Sequence, residues 1–162
     1  MNEMDILRFG MNGIDVGMHS KSAEGGIHME QMKWVSVWGN AVSVAENRPE
    51  RYAKNITIRY PVHIPFAGEA LRLTFDNYCG TEAITLSKVT VLYGGKVYPV
   101  LFGNERAVTI GEGENAVSDP LAIRLVEDEV IQVSFYLADF YPDAQCGLHL
   151  RPPEPGTLRQ RR

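Results

Sequence analysis

From Trp34 onward, apolar and polar side chains alternate with a period of two. In KNITIRYPVHI, Ile56, Ile58, Tyr60, Val62 and Ile64 fall on one face, while Asn55, Thr57, Arg59 and His63 fall on the other. That alternation predicts a half-buried strand. Pro61 has no N–H to give a ladder, which places the strand near a sheet edge. ALRLTFDN repeats the pattern, with Leu71, Leu73 and Phe75 against Arg72, Thr74 and Asp76; Leu121, Ile123 and Leu125, then Ile131, Val133, Phe135 and Leu137, do the same. These segments predict sheets with one packed face and one wet face.

The stretch ITLSKVTVLYGG breaks phase. Ile84 and Leu86 are even-numbered, Val89, Val91 and Tyr93 odd, so the apolar face slips at Ser87-Lys88. A one-residue slip turns every later side chain outward unless a bulge or a strand switch absorbs it, and a bulge is predicted there. Gly94-Gly95 then predicts a two-residue hairpin turn into KVYPVLF. Together with 34–38, 54–60, 70–76, 106–110, 121–126 and 130–138, these segments give about eight strands. No window of 11 or more residues after Trp34 carries a 3.6 period. The expected fold is all-β, an antiparallel β-sandwich with a jelly-roll-like topology; a helix-poor α+β fold is the alternative.

Residues 1–33 are rich in Gly and Met without a sustained period, and Asn12-Gly13 and Gly25-Gly26 are turn signals. They read as a loosely structured leader, with a short strand over Ile6 to Phe9. The division expected is a leader at 1–33, a sandwich domain at 34–140 and an irregular Pro/Arg-rich tail at 141–162.

Charge narrows the partners. The formal net charge is −4, but four Arg and one Glu sit in the tail RPPEPGTLRQRR, leaving 12 basic and 19 acidic groups in residues 1–150, near −7. Such a body repels phosphate backbones, so no nucleic-acid partner is expected. No stretch approaches the ~20 apolar residues of a membrane span. Cys79 and Cys146 have no CxxC or Cys/His spacing around them. With no signal-like apolar run at the N-terminus, reduced thiols and a cytoplasmic location are expected unless a leader precedes this sequence.

Catalytic chemistry has no sequence anchor. Neither G-x-S-x-G nor a Gly-Asp-Ser stretch occurs, and His19, His28, His63 and His149 lie in loose, solvated or terminal segments. No catalytic residue, no metal ligand set and no cofactor are expected. Glu127 to Glu129 read as a solvated turn, and Gly111 to Asn115 match no calcium loop. Aromatic residues carry the binding signal instead. Trp34 and Trp38, four apart on a strand, are expected to share a face, either as core or as a stacking platform for sugars. A ligand-binding set of Trp38, Asn40, Asn77 and Tyr78 follows, with aromatic rings for pyranose faces and amides for hydroxyls. The plainer reading of Asp76-Asn77 is an Asx-turn.

The runs KWVSVWGNAVS, ITIRYPVHIPFAGEALRLTFDNYCGTEAITLSKVTV and AVTIGEGENAVSDPLAIRLVEDEVIQVSFYLADF together resemble the N-terminal β-sandwich region of two-domain SGNH/GDSL-type hydrolases. The matching positions are Trp34, Trp38 and Gly39, then Arg72, Asp76, Asn77, Gly80 and Ile84, then Ser118, Asp119 and Pro120, and finally Val133, Ser134 and Tyr136. The resemblance covers about Trp34 to Phe140 and ends where YPDAQCGLHLRPPEPG begins. It implies an accessory domain that precedes an esterase domain acting on acylated carbohydrates, with the catalytic Ser, Asp and His on that other domain. Three functions are therefore expected in order: a non-catalytic accessory domain that shapes substrate access for an SGNH hydrolase domain, a free-standing carbohydrate-binding module, and an interaction domain that oligomerises through a sheet edge such as 54–60.

Overall fold

The computed structural model describes residues 10–24, 27–39, 43–44, 51–53, 55–78, 82–138, 141–143 and 146–147. These form β-strands joined by turns, with no helix among the described residues. In chain order they are β1 (Gly10–Glu24), β2 (Ile27–Gly39), β3 (Ser43–Val44), β4 (Arg51–Ala53), β5 (Ile56–His63), β6 (Gly68–Asp76), β7 (Ile84–Leu86), β8 (Lys88–Tyr93), β9 (Lys96–Val100), β10 (Val108–Ile110), β11 (Asn115–Val117), β12 (Leu121–Leu125), β13 (Val130–Leu137), β14 (Tyr141–Asp143) and β15 (Cys146–Gly147).

Two antiparallel sheets make the layers of a β-sandwich. In the first, β6 lies between β1 and the end-to-end pair β11 and β12, and β2 closes the far side of β1. The second runs β5-β13-β8-β9, so β5 is an edge strand, as Pro61 requires. Short ladders β7–β10, β4–β14 and β3–β15 complete the set.

The alternation read from the sequence is the alternation of burial. Tyr60, Val62 and Ile64, Leu71, Leu73 and Phe75, and Ile131, Val133, Phe135 and Leu137 all join one core cluster. A chain of rings spans the layers: Trp38 to Tyr60 at 6.0 Å, Tyr60 to Phe135 at 5.9 Å, and Phe135 to Phe75 at 5.2 Å between centroids. Offset and edge contacts of this kind add to the burial of large apolar rings.

The slip at Ser87 is a strand switch and not the bulge predicted there. β7 pairs with β10, β8 pairs with β13, and between them the Ser87 N–H donates to the Tyr136 carbonyl at 3.1 Å. Ile84 and Leu86 before it, and Val89 and Val91 after it, are all buried. Gly94 and Gly95 form the β8–β9 turn with φ of 54° and 75°, the left-handed conformation that Gly adopts at no steric cost.

The leader expected over residues 1–33 is corrected for its described part. Gly10–Gly17 pairs with β6, and from Gly13 on with β2 as well, so it lies inside the first sheet, with Met11, Ile14 and Val16 in the core. The β1–β6 register shifts between Met11 and Gly13, so Asn12 is an inserted residue that moves the buried phase from odd to even positions. Asn12-Gly13 is therefore a bulge in a strand and not a turn. Past Gly17, β1 has β2 alone as partner, and the hairpin continues to the Glu24–Ile27 pair. The predicted strand at Ile6 to Phe9 and most of the 141–162 tail lie outside the described residues.

Candidate functional site

Of the four residues singled out from the sequence, the three that are described do not come together. Asn40 lies outside the described residues. Trp38 pairs with Ile14 and packs on the core margin against Tyr60. Tyr78 is 75% exposed beyond the end of β6, whereas Asn77 beside it is 0% exposed. The Asn77 amide donates to the carbonyls of Glu82, Ile110 and Gly111 at 2.7, 3.2 and 3.0 Å, and its own backbone exchanges bonds with Glu114 and Gly113. Asn77 is a staple that ties the GEGEN loop to the end of β6. As a group that meets ligand hydroxyls it is corrected, because its donors are already taken.

Trp34 and Trp38 do not share a face. The β1–β2 register runs Ile14 to Trp38 and then Asp15 to Ser36, leaving Val37 as an inserted residue. The insertion turns Trp38 toward the core, while Trp34 stands opposite Gly17 on the outer face. A Cβ at Gly17 would lie 3.0 Å from the Trp34 ring, so Gly17 makes room for the indole. Above it, Arg72 Cζ sits 4.5 Å from the ring centroid, and the guanidinium is held by two bonds of 2.9 Å to Asp15 Oδ2. The ring face that a sugar would stack on is thus covered by the chain's own cation.

Other residues that carry the family resemblance also serve the fold. Ser118 Oγ accepts the Leu73 N–H at 2.9 Å and the Ser118 N–H donates to the Leu73 carbonyl, so this side chain completes the ladder where β11 gives way to β12. The Asp119 carboxylate accepts the N–H groups of Gly103 and Asn104 at 2.9 and 2.7 Å, holding a turn whose two residues have positive φ. Asp76 accepts from the Asn12 amide inside the β1 bulge; burial pushes its carboxyl above the ordinary carboxylate range, against the opposing pull of the Tyr78 N–H and Asn12.

A cavity forms on the opposite layer. The outer face of β5, β13 and β8, with the adjoining end of β9, makes a trough of about 390 Å³. Register sets its floor in three rows. Thr57, Tyr136 and Lys88 form the first, Arg59, Ser134 and Thr90 the second, and Gln132, Leu92 and Val97 the third, where Gln132 also stands opposite Pro61. The Tyr136 hydroxyl donates to Asn55 Oδ1 at 2.8 Å, which fixes the ring at one wall. Val97, 65% exposed, and Leu92 give one end an apolar surface. Among the described residues Arg59 and Lys88 form no ion pair and no carboxylate lines the trough. The sequence showed that these side chains face water; what brings them together is the strand order β5-β13-β8, which periodicity does not encode.

Nothing in the described residues assembles a nucleophile with a base. His63 contacts Asp128 at 3.2 Å and His19 contacts Glu69 at 3.4 Å, both on exposed groups at separate places. Among the described residues no three His, Cys, Asp or Glu side chains gather as a metal site would require. The Cys79 and Cys146 side chains lie outside the described residues. No helix among the described residues is long and apolar enough to cross a membrane. Compared with known protein families and with curated proteins, the chain matches none.

Proposed function

We propose that this chain is a non-catalytic β-sandwich module that binds carbohydrate in the trough over β5, β13, β8 and β9, as the accessory part of an SGNH-type esterase acting on acylated carbohydrates. The observation that carries the reading is the floor of the trough. Hydroxyls of Thr57, Thr90, Ser134 and Tyr136 and the amide of Gln132 share one open cavity, next to the apolar pair Leu92 and Val97. Strands spaced about 4.8 Å apart repeat such groups at the scale of sugar hydroxyls. Hydroxyl and amide side chains both donate and accept, as sugar hydroxyls require, and Leu92 and Val97 suit the apolar C–H face of a pyranose.

Calorimetric titration with neutral and acidic oligosaccharides tests this. Saturable binding is expected, lowered at least tenfold by the double substitution Gln132→Ala with Ser134→Val, which alters only the floor of the trough. Binding that this variant leaves unchanged, or no binding to any oligosaccharide, contradicts the proposal. Hydrolysis of an activated acetate ester by the purified chain, above a variant stripped of its Ser and His side chains, contradicts the non-catalytic part.

The second reading is an interaction module. Among the described residues β5 ends the second sheet with an unpaired side, and Pro61 near its centre limits pairing with another strand. Sedimentation equilibrium separates the two readings: a mass that rises with concentration supports edge pairing, and a constant monomer mass counts against it.

A further inference from the structure

Resting on the carbohydrate reading, we infer that the trough selects an acidic saccharide, one whose rings carry carboxylate or sulfate, and that Arg59 and Lys88 are the groups that recognise the charge. Residues 1–150 hold 19 acidic side chains against 12 basic ones, yet the ten described residues lining the trough include two cations and no carboxylate. A positive cavity in a negative body focuses its field on whatever anion enters.

The two cations are placed to act together. Arg59 stands opposite Ser134, and Lys88 stands opposite Tyr136, on the two strands that flank β13. Two strand spacings across and two residues along put their Cα atoms on the order of 12 Å apart, a span that suits charges on separate rings of a chain better than a single small anion. Among the described residues neither cation has an ion-pair partner. The guanidinium of Arg59 can take a carboxylate or sulfate through two parallel N–H bonds, while Lys88 offers a mobile point charge.

The trough is also polar along its length. Asp128, bound to His63, and Glu129, hydrogen-bonded to Tyr93, lie beyond the Leu92 and Val97 end, away from Lys88. An anionic chain is accordingly drawn toward the rows of Thr57–Tyr136–Lys88 and Arg59–Ser134–Thr90, with its less charged end over Leu92 and Val97. The cations supply selectivity and steering, and the hydroxyl and amide floor supplies the contact with the sugar itself.

Titration of the full chain with tetragalacturonate, with its fully methyl-esterified counterpart and with inorganic polyphosphate tests the inference. The acid is expected to bind at least tenfold more tightly than the ester. Arg59→Gln and Lys88→Gln should each weaken acid binding about three- to tenfold and ester binding by a clearly smaller factor, while added salt weakens the acid far more than the ester. A sulfated oligosaccharide measured alongside shows which anionic group the site prefers. Equal affinity for acid and ester, with both variants silent, overturns the anion selectivity and leaves the carbohydrate reading standing. Polyphosphate bound as tightly as the acid overturns both, since charge alone would then suffice, and absence of binding to acid and ester by the unaltered chain also overturns both.

Discussion

The guanidinium of Arg72 lies over the indole of Trp34, 4.5 Å from the ring centroid, while Asp15 holds it from the neighbouring strand. Three strands are thereby clamped on their outer side: β2 through Trp34, β1 through Asp15 and β6 through Arg72. The ion pair is partly exposed, so solvent screening keeps its own share under about 1 kcal/mol, and the cation–π contact adds a similar amount. Arg72→Ala is expected to lower unfolding stability by about 1–2 kcal/mol and to shift tryptophan emission to the red. Arg72→Lys should recover only part, because an ammonium cannot both fork to Asp15 and lie flat on the ring. Urea titration followed by fluorescence reads both effects; unchanged emission in Arg72→Ala contradicts the stacking.

Asn77 is predicted to matter for the fold and not for the ligand. Asn77→Asp removes both amide donors and sets a carboxylate against three carbonyl oxygens. A loss of about 3 kcal/mol or more is expected in urea unfolding. Where the variant remains folded, its glycan affinity should equal that of the unaltered chain.

Asp76 makes stability depend on pH in an unusual direction for a carboxylate. Its folded-state pKa is raised by burial, so the folded chain holds the proton more tightly than the unfolded chain does. The associated stability is fully present below the ordinary aspartate pKa and is lost as pH rises through the raised value. Asp76→Asn is therefore expected to be the more stable protein at neutral pH, with the difference shrinking as pH falls through that window. Urea midpoints of both proteins between pH 3.5 and 7 check this, and a gap that widens at low pH contradicts it.

Tyr60 stacks on Phe135 with its hydroxyl buried and without a partner among the described residues. Burial pushes the phenol well above its ordinary pKa, so it stays neutral and its lone hydroxyl is a cost to the fold. Tyr60→Phe keeps both ring contacts and should raise stability by about 1 kcal/mol. A destabilised variant would show that the hydroxyl has a partner after all.

Much of the sandwich was legible in the alternation. Leu71, Leu73, Phe75, Ile131, Val133 and Phe135 lie where period two puts them, and the slip between Leu86 and Val89 marked a break, which is a switch from β7 to β8 where a bulge was expected. What escaped was each place where a bulge breaks the count. Asn12 in β1 shifts the buried phase between Met11 and Ile14, so a core strand read as a loose leader. Val37 in β2 separates Trp34 from Trp38, so two rings expected to share a face point to opposite ones. The trough escaped for another reason. Thr57, Arg59, Lys88, Ser134 and Tyr136 were each legible as wet positions, but their adjacency depends on long-range strand order.

The central claim is that carbohydrate binds on the outer face of the second sheet. Amide shift mapping of the isotopically labelled chain during titration with tetragalacturonate and a neutral oligosaccharide tests it most directly. The predicted result is a set of saturable shifts centred on Thr57, Arg59, Lys88, Thr90, Gln132, Ser134 and Tyr136, with Trp34, Asp15 and Arg72 unmoved. Shifts centred on the Trp34 face or around Tyr78, or none at all, would contradict the account.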